Sequence, residues 1–131
     1  MATILVIEDH VVFGKALVRL LTEKAHADVV DVVRSGEEAL KKLPSMDVDL
    51  VLVDVSLPTM NGIQLVATIH EQYPHLHCLM ISGHLTPFYV KRSLEAGARG
   101  YVLKDDIPGV LEGVQRVLEG EIYVSSALRD M

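Results

Sequence analysis

Cysteine is nearly absent from this 131-residue sequence, in which Cys78 is the single example. One thiol cannot form an internal disulfide, and the composition fits a reducing compartment. Long apolar runs are also missing, since none approaches the ~20 residues that a membrane-spanning helix needs. The first ten residues contain two acids and no Lys or Arg. We therefore expect no signal peptide and interpret the chain as cytoplasmic.

Basic residues are few for a protein that binds polyanions. Twelve Lys and Arg face eighteen Asp and Glu, which gives a formal net charge of −6. Nucleic-acid-binding domains and proteins that bind anionic membranes usually carry a basic surface. The charge balance therefore argues against DNA or membrane contact by the residues of this chain.

The chain does contain enough apolar material for one domain. Hydrophobic residues make up 50% of it and charged residues 23%, as is usual for globular domains. A chain of this length buries roughly two-thirds of its unfolded surface, enough for a core. We expect one domain over residues 1–120 and a short tail over residues 121–131.

Five short runs rich in Val, Ile and Leu recur along the chain. They are nearly continuous instead of alternating with polar residues, which is typical of strands buried on both faces of a sheet. The predicted strands lie within residues 4–7, 29–33, 50–55, 76–81 and 101–103.

Segments with apolar residues at helical spacing separate these runs. Ser35 followed by Glu38 predicts the start of one helix. Pro87 and Pro108 predict the first turns of two others, and Gly97 predicts a helix end. Strand and helix thus alternate five times, which predicts an α/β fold with a doubly wound, five-stranded parallel sheet. The tail after residue 120 shows no pattern long enough to predict a further element of the sheet.

Polar residues stand where four of the predicted strands end. Glu8 and Asp9 follow the first strand, Asp54 lies at the end of the third, Ser82 follows the fourth and Lys104 follows the fifth. The carboxyl ends of parallel strands meet at one edge of a doubly wound sheet, where ligands bind. We therefore expect these five side chains to converge on one site.

The chemistry of this set suggests a phosphoryl acceptor. Glu8, Asp9 and Asp54 would repel one another unless a pKa rises or a cation lies between them, and Mg²⁺ prefers such oxygen ligands. Asp54 could then attack a phosphoryl group as a nucleophile. Lys104 and Ser82 could contact the phosphoryl oxygens.

With these residues in this order, the sequence resembles the CheY-like receiver domain of two-component response regulators. The matching motifs are the pair Glu8-Asp9, Asp54 in LVLVDVSLPTMNG, Ser82 in LMISGH and Lys104 in GYVLKDD. The resemblance covers about residues 3–120. It implies a flavodoxin-like (βα)5 fold with the strand order 2-1-3-4-5.

The resemblance also implies the roles of the acidic residues. Asp54 would be the residue that is phosphorylated. Asp9 and Asp54 would bind Mg²⁺ directly, Glu8 would assist directly or through water, and Ser56 would offer its backbone carbonyl to the metal.

A second group of implied roles concerns switching. Ser82 would move toward the phosphoryl group, Tyr101 would then turn inward, and Lys104 would bind a phosphoryl oxygen. In this family the side chain at the position of His84 influences how water reaches the phosphoryl group. We therefore hypothesise that His84 and Ser56 tune the lifetime of the phosphorylated form.

The sequence departs from the commonest receiver pattern at three positions. The acidic pair is Glu-Asp, the switch hydroxyl is Ser82 instead of Thr, and Asp105 stands where many receivers have a proline after a cis bond. The geometry of the Lys104–Asp105 peptide therefore stays open. GYVLKDD is similar to receivers of the NarL/FixJ type, and the tail resembles the start of their linker to a helix-turn-helix domain.

The resemblance predicts a signalling switch and not a conventional enzyme. A sensor histidine kinase would phosphorylate Asp54, and the surface formed by the fourth helix, fifth strand and fifth helix of the family fold would then change. DNA would be contacted only through an output domain that this chain does not include, and a homodimer is expected. The alternative is a stand-alone receiver that acts by binding another protein. The only self-catalysed reactions expected are phosphoryl transfer and autodephosphorylation.

Other interpretations of the same residues fit less well. Glu8-Asp9 could simply cap a helix, and an unphosphorylated scaffold could keep this fold. A haloacid-dehalogenase-type phosphatase would need Asp-x-Asp after the first strand, where Glu8-Asp9-His10 stands. A flavodoxin-type electron carrier would need a phosphate-binding loop rich in hydroxyls and glycine there. The six histidines lack the spacing of a structural zinc site.

Overall fold

Parallel strands form one sheet with helices on both faces in the computed structural model, which describes residues 1–129. The strands are β1 (Thr3–Ile7), β2 (Asp28–Val33), β3 (Leu50–Asp54), β4 (His77–Ser82), β5 (Gly100–Leu103) and β6 (Tyr123–Val124). The helices are α1 (Val11–Lys24), α2 (Gly36–Lys42), α3 (Gly62–Gln72), α4 (Pro87–Ala96), α5 (Ile107–Leu118) and α6 (Ser126–Arg129), with a 3-10 helix at Leu43–Ser45. The strand order is β2-β1-β3-β4-β5-β6, which confirms the predicted doubly wound fold and its order 2-1-3-4-5.

Each central strand contributes to two cores. On β1, Ile4 and Val6 pack with α1 and α5, whereas Leu5 and Ile7 pack on the opposite face with α2 and α3. All four side chains are fully buried, and burial of one such side chain contributes about 1.5–3 kcal/mol. Because helices cover both faces, the strand sequence is a continuous apolar run instead of an alternating one.

The helix boundaries follow the local signals in the sequence. The hydroxyl of Ser35 accepts a hydrogen bond from the Glu38 amide at 3.1 Å and caps α2. Pro87 and Pro108 lie in the first turns of α4 and α5, and Gly97 ends α4 with a left-handed backbone. Within residues 1–129, no helix has both the length and the hydrophobicity needed to cross a membrane.

The first difference from the sequence prediction is at β2. This strand lies at the edge of the sheet, and Asp28 and Val30 are exposed. Its pairing with β1 shifts register between Ile4 and Leu5. The expectation that all five runs are buried on both faces is therefore wrong for β2, in which Val33 is the single fully buried residue.

The second difference lies in the tail. Tyr123 and Val124 form β6, which pairs in parallel with Gly100 and Tyr101 of β5. Leu128 of the following α6 is buried in the core on the α3 side. Two residues are too short for strand periodicity to be detected, so the sequence pattern alone did not predict this sixth strand.

The single thiol belongs to the core, as expected. Cys78 lies on β4 and is 1% exposed. Burial raises the pKa of its thiol to about 12, so the thiol stays protonated near neutral pH. Cys78 therefore acts as a small apolar packing residue.

Gly97 provides a test of the packing between α4 and α3. Its φ is +115°, and an added Cβ would lie 2.5 Å from Cγ of His70. Gly97→Ala is expected to lower the free energy of unfolding by about 1–3 kcal/mol, because both the backbone and His70 must adjust. Urea denaturation measures this loss. Gly83→Ala is the control, since its added Cβ meets nothing within 4 Å. Equal stability of wild type and Gly97→Ala would contradict the prediction.

Candidate functional site

The carboxyl ends of β1, β3 and β5 bring the predicted charged residues together. Glu8 and Asp9 follow β1, Asp54 is the last residue of β3, and Lys104 follows β5. The Lys104 Nζ atom lies 3.0 Å from Asp54 Oδ2 and 3.0 Å from Glu8 Oε1. One ammonium group thus bridges carboxylates that enter the site from two different strands.

Burial makes this charge cluster unusual. The side chain of Glu8 is 0% exposed and that of Asp54 is 2% exposed. Burial raises the pKa of Glu8, and the nearby Asp54 raises it further, while hydrogen bonds from the His10 amide and Lys104 oppose the rise. Burial also disfavours the charge on Lys104, but its contacts with the two carboxylates together outweigh burial and raise the pKa of Lys104.

The same cluster offers ligands for a metal ion. Glu8, Asp9, His10 and Asp54 each place one potential ligand atom so that all four lie within 4.8 Å of one another. Asp9 Oδ1 is a buried atom that makes no hydrogen bond within the described part of the chain, whereas Glu8 Oε1 meets Lys104 Nζ at 3.0 Å. Carboxylate oxygens with free lone pairs are the ligands that hard divalent cations prefer. The acidic cluster therefore fits a metal ion.

His10 is a member of this cluster that the sequence analysis did not single out. Its amide donates to Glu8 Oε2 at 3.0 Å, and its Nδ1 lies 3.0 Å from the same oxygen. His10 also occupies the N-cap position of α1 and makes no side-chain cap there. The interpretation of Glu8-Asp9 as a simple helix cap is therefore wrong. The position of His10 directly after the acidic pair in the sequence could have indicated that it joins the cluster.

The loop after β3 fixes the Asp54 carboxylate. The Ser56 amide donates to Asp54 Oδ1 at 3.0 Å. Gly62 packs so closely against β3 that an added Cβ would collide with the backbone carbonyl of Asp54. The Gly62 amide donates to the Val55 carbonyl at 2.8 Å. Gly62 is the first residue of α3, which Asn61 and Gln64 cap with a full capping box. The predicted metal contact of the Ser56 carbonyl stays a prediction.

The two predicted switch residues lie deeper in the fold. Ser82 and Tyr101 are both 0% exposed. The Ser82 hydroxyl accepts from the His84 amide at 2.9 Å, and the Tyr101 hydroxyl donates to the His84 carbonyl at 3.1 Å. Burial raises the pKa of Tyr101, which keeps its hydroxyl a hydrogen-bond donor. The backbone of His84 therefore connects the two residues, and Tyr101 occupies the inward position.

The side chain of His84 connects two loops at the edge of the site. Its Nε2 lies 3.1 Å from the hydroxyl of Ser56, which joins the loop after β4 to the loop after β3. Its ring also contacts Tyr89 edge-on, with centroids 5.0 Å apart. The two residues that the resemblance paired as tuning residues are thus in direct contact.

The chain turns directly from the site into α5. In residues 1–129 no peptide bond is cis, so the Lys104–Asp105 bond is trans. Asp106 then caps α5 by accepting from the Gly109 amide at 3.0 Å.

This combination of a parallel sheet, an acidic cluster and a bridging lysine defines a class of signalling domain. Residues 4–115 match the family model described as the response regulator receiver domain. The chain belongs to the response regulator receiver family.

Relatives and solved structures agree with this assignment. The chain is 31% identical over 122 residues to the transcriptional regulatory protein DegU of Brevibacillus brevis, covering 92% of this chain and 52% of DegU. It is 31% identical to the nitrate/nitrite response regulator NarL of Escherichia coli, covering 97% of this chain and 59% of NarL. The signal receiver domain of NarL from Mycobacterium tuberculosis is 30% identical with a TM-score of 0.83, over 92% of this chain and 98% of that one.

The fold agrees closely with a more distant structure as well. A LuxR-family response regulator from Aurantimonas sp. SI85-9A1 superposes with a TM-score of 0.95 at 24% identity, covering 99% of this chain and 94% of that one. The chain spans little more than half the length of DegU and NarL.

The acidic cluster predicts stabilisation by Mg²⁺. An ion that binds only the folded chain stabilises it by about 2.7 kcal/mol at 100 times its Kd. Calorimetry at constant ionic strength is expected to show a higher melting temperature with MgCl₂ than with NaCl. Asp9→Asn is expected to remove most of this shift.

Asp105→Asn is the matched control, because Asp105 is exposed and lies outside the acidic cluster. It removes the same charge and is expected to keep the full Mg²⁺ shift. An Asp9→Asn protein that responds like wild type would show that Asp9 does not bind the ion.

Proposed function

We propose that this chain is a phosphorylation-dependent switch in which Asp54 accepts a phosphoryl group from the phosphohistidine of a sensor histidine kinase. The observation that carries the proposal is the contact of the buried Asp54 carboxylate with Lys104 at 3.0 Å, beside an acidic cluster that fits a cation. Membership of the receiver family supports the same conclusion.

The transfer itself is a substitution at phosphorus. An Asp54 oxygen forms a bond to phosphorus, the P–N bond of the phosphohistidine breaks, and the imidazole leaves with the electron pair. The Lys104 ammonium exchanges part of its contact with Asp54 for a contact with a phosphoryl oxygen. Glu8, Asp9, Asp54 and the Ser56 carbonyl would hold Mg²⁺, which would neutralise the negative charge that develops around the phosphoryl group.

The chain acts only on itself in this proposal. It catalyses its own phosphorylation and its own dephosphorylation, and it turns over no separate substrate as a conventional enzyme does. The added charge at Asp54 is then converted into a change of shape. A shift from 1:99 to 99:1 between two states needs about 5.5 kcal/mol, to which charge-assisted hydrogen bonds from Lys104 and Ser82 contribute.

The proposed change begins at Ser82. Its hydroxyl turns from the His84 amide toward a phosphoryl oxygen, and the loop after β4 follows because Ser82 and Tyr101 both bond to the His84 backbone. Tyr101 is held inward, and the surface formed by α4, β5 and α5 changes. That surface controls the output.

The proposed output is transcription. DegU is a transcriptional regulatory protein, and the chain covers 52% of its length. We assign residues 121–131 to the connection with a helix-turn-helix domain, which would make the DNA contacts. A cytoplasmic location and a homodimer complete the proposal.

Phosphorylation of Asp54 is tested by intact mass. Incubation with acetyl phosphate and Mg²⁺ is expected to add one phosphoryl group to wild type and none to Asp54→Asn, because the amide cannot act as the nucleophile. Asp105→Asn, an exposed neighbour of the site, is expected to behave as wild type. An Asp54→Asn protein that gains the group would place the acceptor at another residue. A wild type that gains none and does not bind Mg²⁺ would leave only the scaffold interpretation.

The contact between His84 and Ser56 predicts control of the phosphoryl lifetime. His84→Ala and Ser56→Ala are each expected to speed dephosphorylation several-fold, because loss of the 3.1 Å contact opens the space between the two loops to water. The phosphorylated mass is followed over time after removal of acetyl phosphate. His75→Ala, which changes an exposed histidine between α3 and β4, is the control. Unchanged rates in both site variants would remove these residues from the proposal.

A further inference from the structure

The segment from Tyr123 to Arg129, here called the strap, lies along the outer edge of β5. The Tyr123 amide donates to the Arg99 carbonyl at 3.1 Å, and the Ser125 amide donates to the Tyr101 carbonyl at 2.9 Å. The strap therefore bonds directly to the backbone of Tyr101. It covers the edge of β5 that the α4-β5-α5 surface would otherwise expose.

A buried polar network fixes the position of the strap. Ser125 is 0% exposed. Its hydroxyl donates to Asp106 Oδ2 at 2.7 Å and accepts from the Leu103 amide at 3.0 Å. The other oxygen of Asp106 accepts from the Gly109 amide at 3.0 Å and caps α5. A hydroxyl that satisfies a carboxylate and a strand amide inside the fold specifies one register for the strap.

The strap also folds back on itself. The Arg129 Nε donates to the Val124 carbonyl at 2.6 Å, and the guanidinium lies 4.9 Å from the centroid of the Tyr123 ring. Leu128 is 5% exposed and joins the core that contains Tyr101. Strap and switch aromatic therefore share both a backbone hydrogen bond and a hydrophobic cluster.

Strand β5 carries the switch on its other side. Leu103 pairs with Ser82 across the β4–β5 register, and the Lys104 amide donates to the Ser82 carbonyl at 2.9 Å. The amide of the same Leu103 donates to Ser125. A stretch of four residues, Tyr101 to Lys104, thus lies between the proposed phosphoryl site and the strap. Movement of this stretch would alter the hydrogen bonds on both sides.

We propose that the strap is a regulatory element whose docking on β5 is coupled to occupation of the Asp54 site through Ser125. The proposal rests on the proposed function, because it takes the phosphorylated form as the one that holds Tyr101 inward. The strap docks on β5 while Tyr101 is inward. The docked strap and the phosphorylated site therefore favour the same arrangement of β5. Coupling of this kind is reciprocal: an occupied site stabilises the docked strap, and the docked strap tightens binding at the site.

The first experiment measures amide hydrogen exchange at Tyr123 and Ser125 in the full 131-residue chain. Beryllofluoride with Mg²⁺ is the probe for the phosphoryl group, and its binding is followed separately by fluorine NMR. Bound beryllofluoride is expected to slow exchange at both amides by about fivefold or more. Exchange at the Leu52 amide, in the central strand, reports global stability. An equal change there would overturn a specific coupling.

The second experiment uses Ser125→Ala with Ser126→Ala as its matched control, since Ser126 is exposed. Ser125→Ala is expected to weaken beryllofluoride binding by about fivefold or more and to remove the slowing of exchange at Tyr123. Ser126→Ala is expected to leave both unchanged. The wild-type comparison does not depend on how well the Ser125 variant folds.

The outcomes separate this proposal from the proposed function. Failure of wild type to bind beryllofluoride would overturn the Asp54 site, and with it both proposals. Beryllofluoride that binds wild type while the strap amides exchange as before would overturn the strap coupling alone. Equal binding by wild type and Ser125→Ala would do the same.

Discussion

The contact on which the site depends is the bridge from one ammonium to two buried carboxylates. Lys104 lies 3.0 Å from both Glu8 and Asp54. Both acidic side chains are buried, so water does not solvate their charges. Removing a charge from water costs several kcal/mol unless another charge or hydrogen bond compensates. One ammonium therefore faces the carboxylates of Glu8, Asp9 and Asp54, an excess of negative charge that a divalent cation would balance.

The fold supplies this arrangement by bringing strand ends together. Glu8, Asp54 and Lys104 are distant in sequence, but each follows or ends a strand whose backbone is fixed by its neighbours. The loop after β3 adds local precision, because the Ser56 amide orients one oxygen of Asp54 and Gly62 allows the chain to pass against its carbonyl. Such a site is organised before any ligand arrives, which lowers the cost of binding.

Strand β5 connects the parts of the molecule that the proposals use. It contains Tyr101, precedes Lys104, and pairs with β4 on one side and β6 on the other. Because β5 has hydrogen bonds on both edges, the proposed change at Ser82 would reach Ser125 through this strand. The same geometry explains why a two-residue strand is stable: its bonds to β5, the buried Ser125 and the Leu128 contact act together.

The sequence by itself determined the α/β alternation, the strand order through its family resemblance, the helix caps at Ser35, Pro87 and Gly97, and the charged residues of the site. The alternation and the caps follow from periodicity and from the short-range preferences of neighbouring residues, whereas the strand order came from the resemblance alone. Only the tertiary structure decided that β2 is an exposed edge, that β6 joins the sheet, that His10 bonds to Glu8, and that Ser56 meets His84. Most of those contacts join segments that are distant in sequence, and packing decides their relative positions. The contact of His10 with Glu8 depends on a local turn geometry that residue type alone does not specify. A buried hydroxyl such as Ser125 looks like any other serine until Asp106 and Leu103 are placed around it.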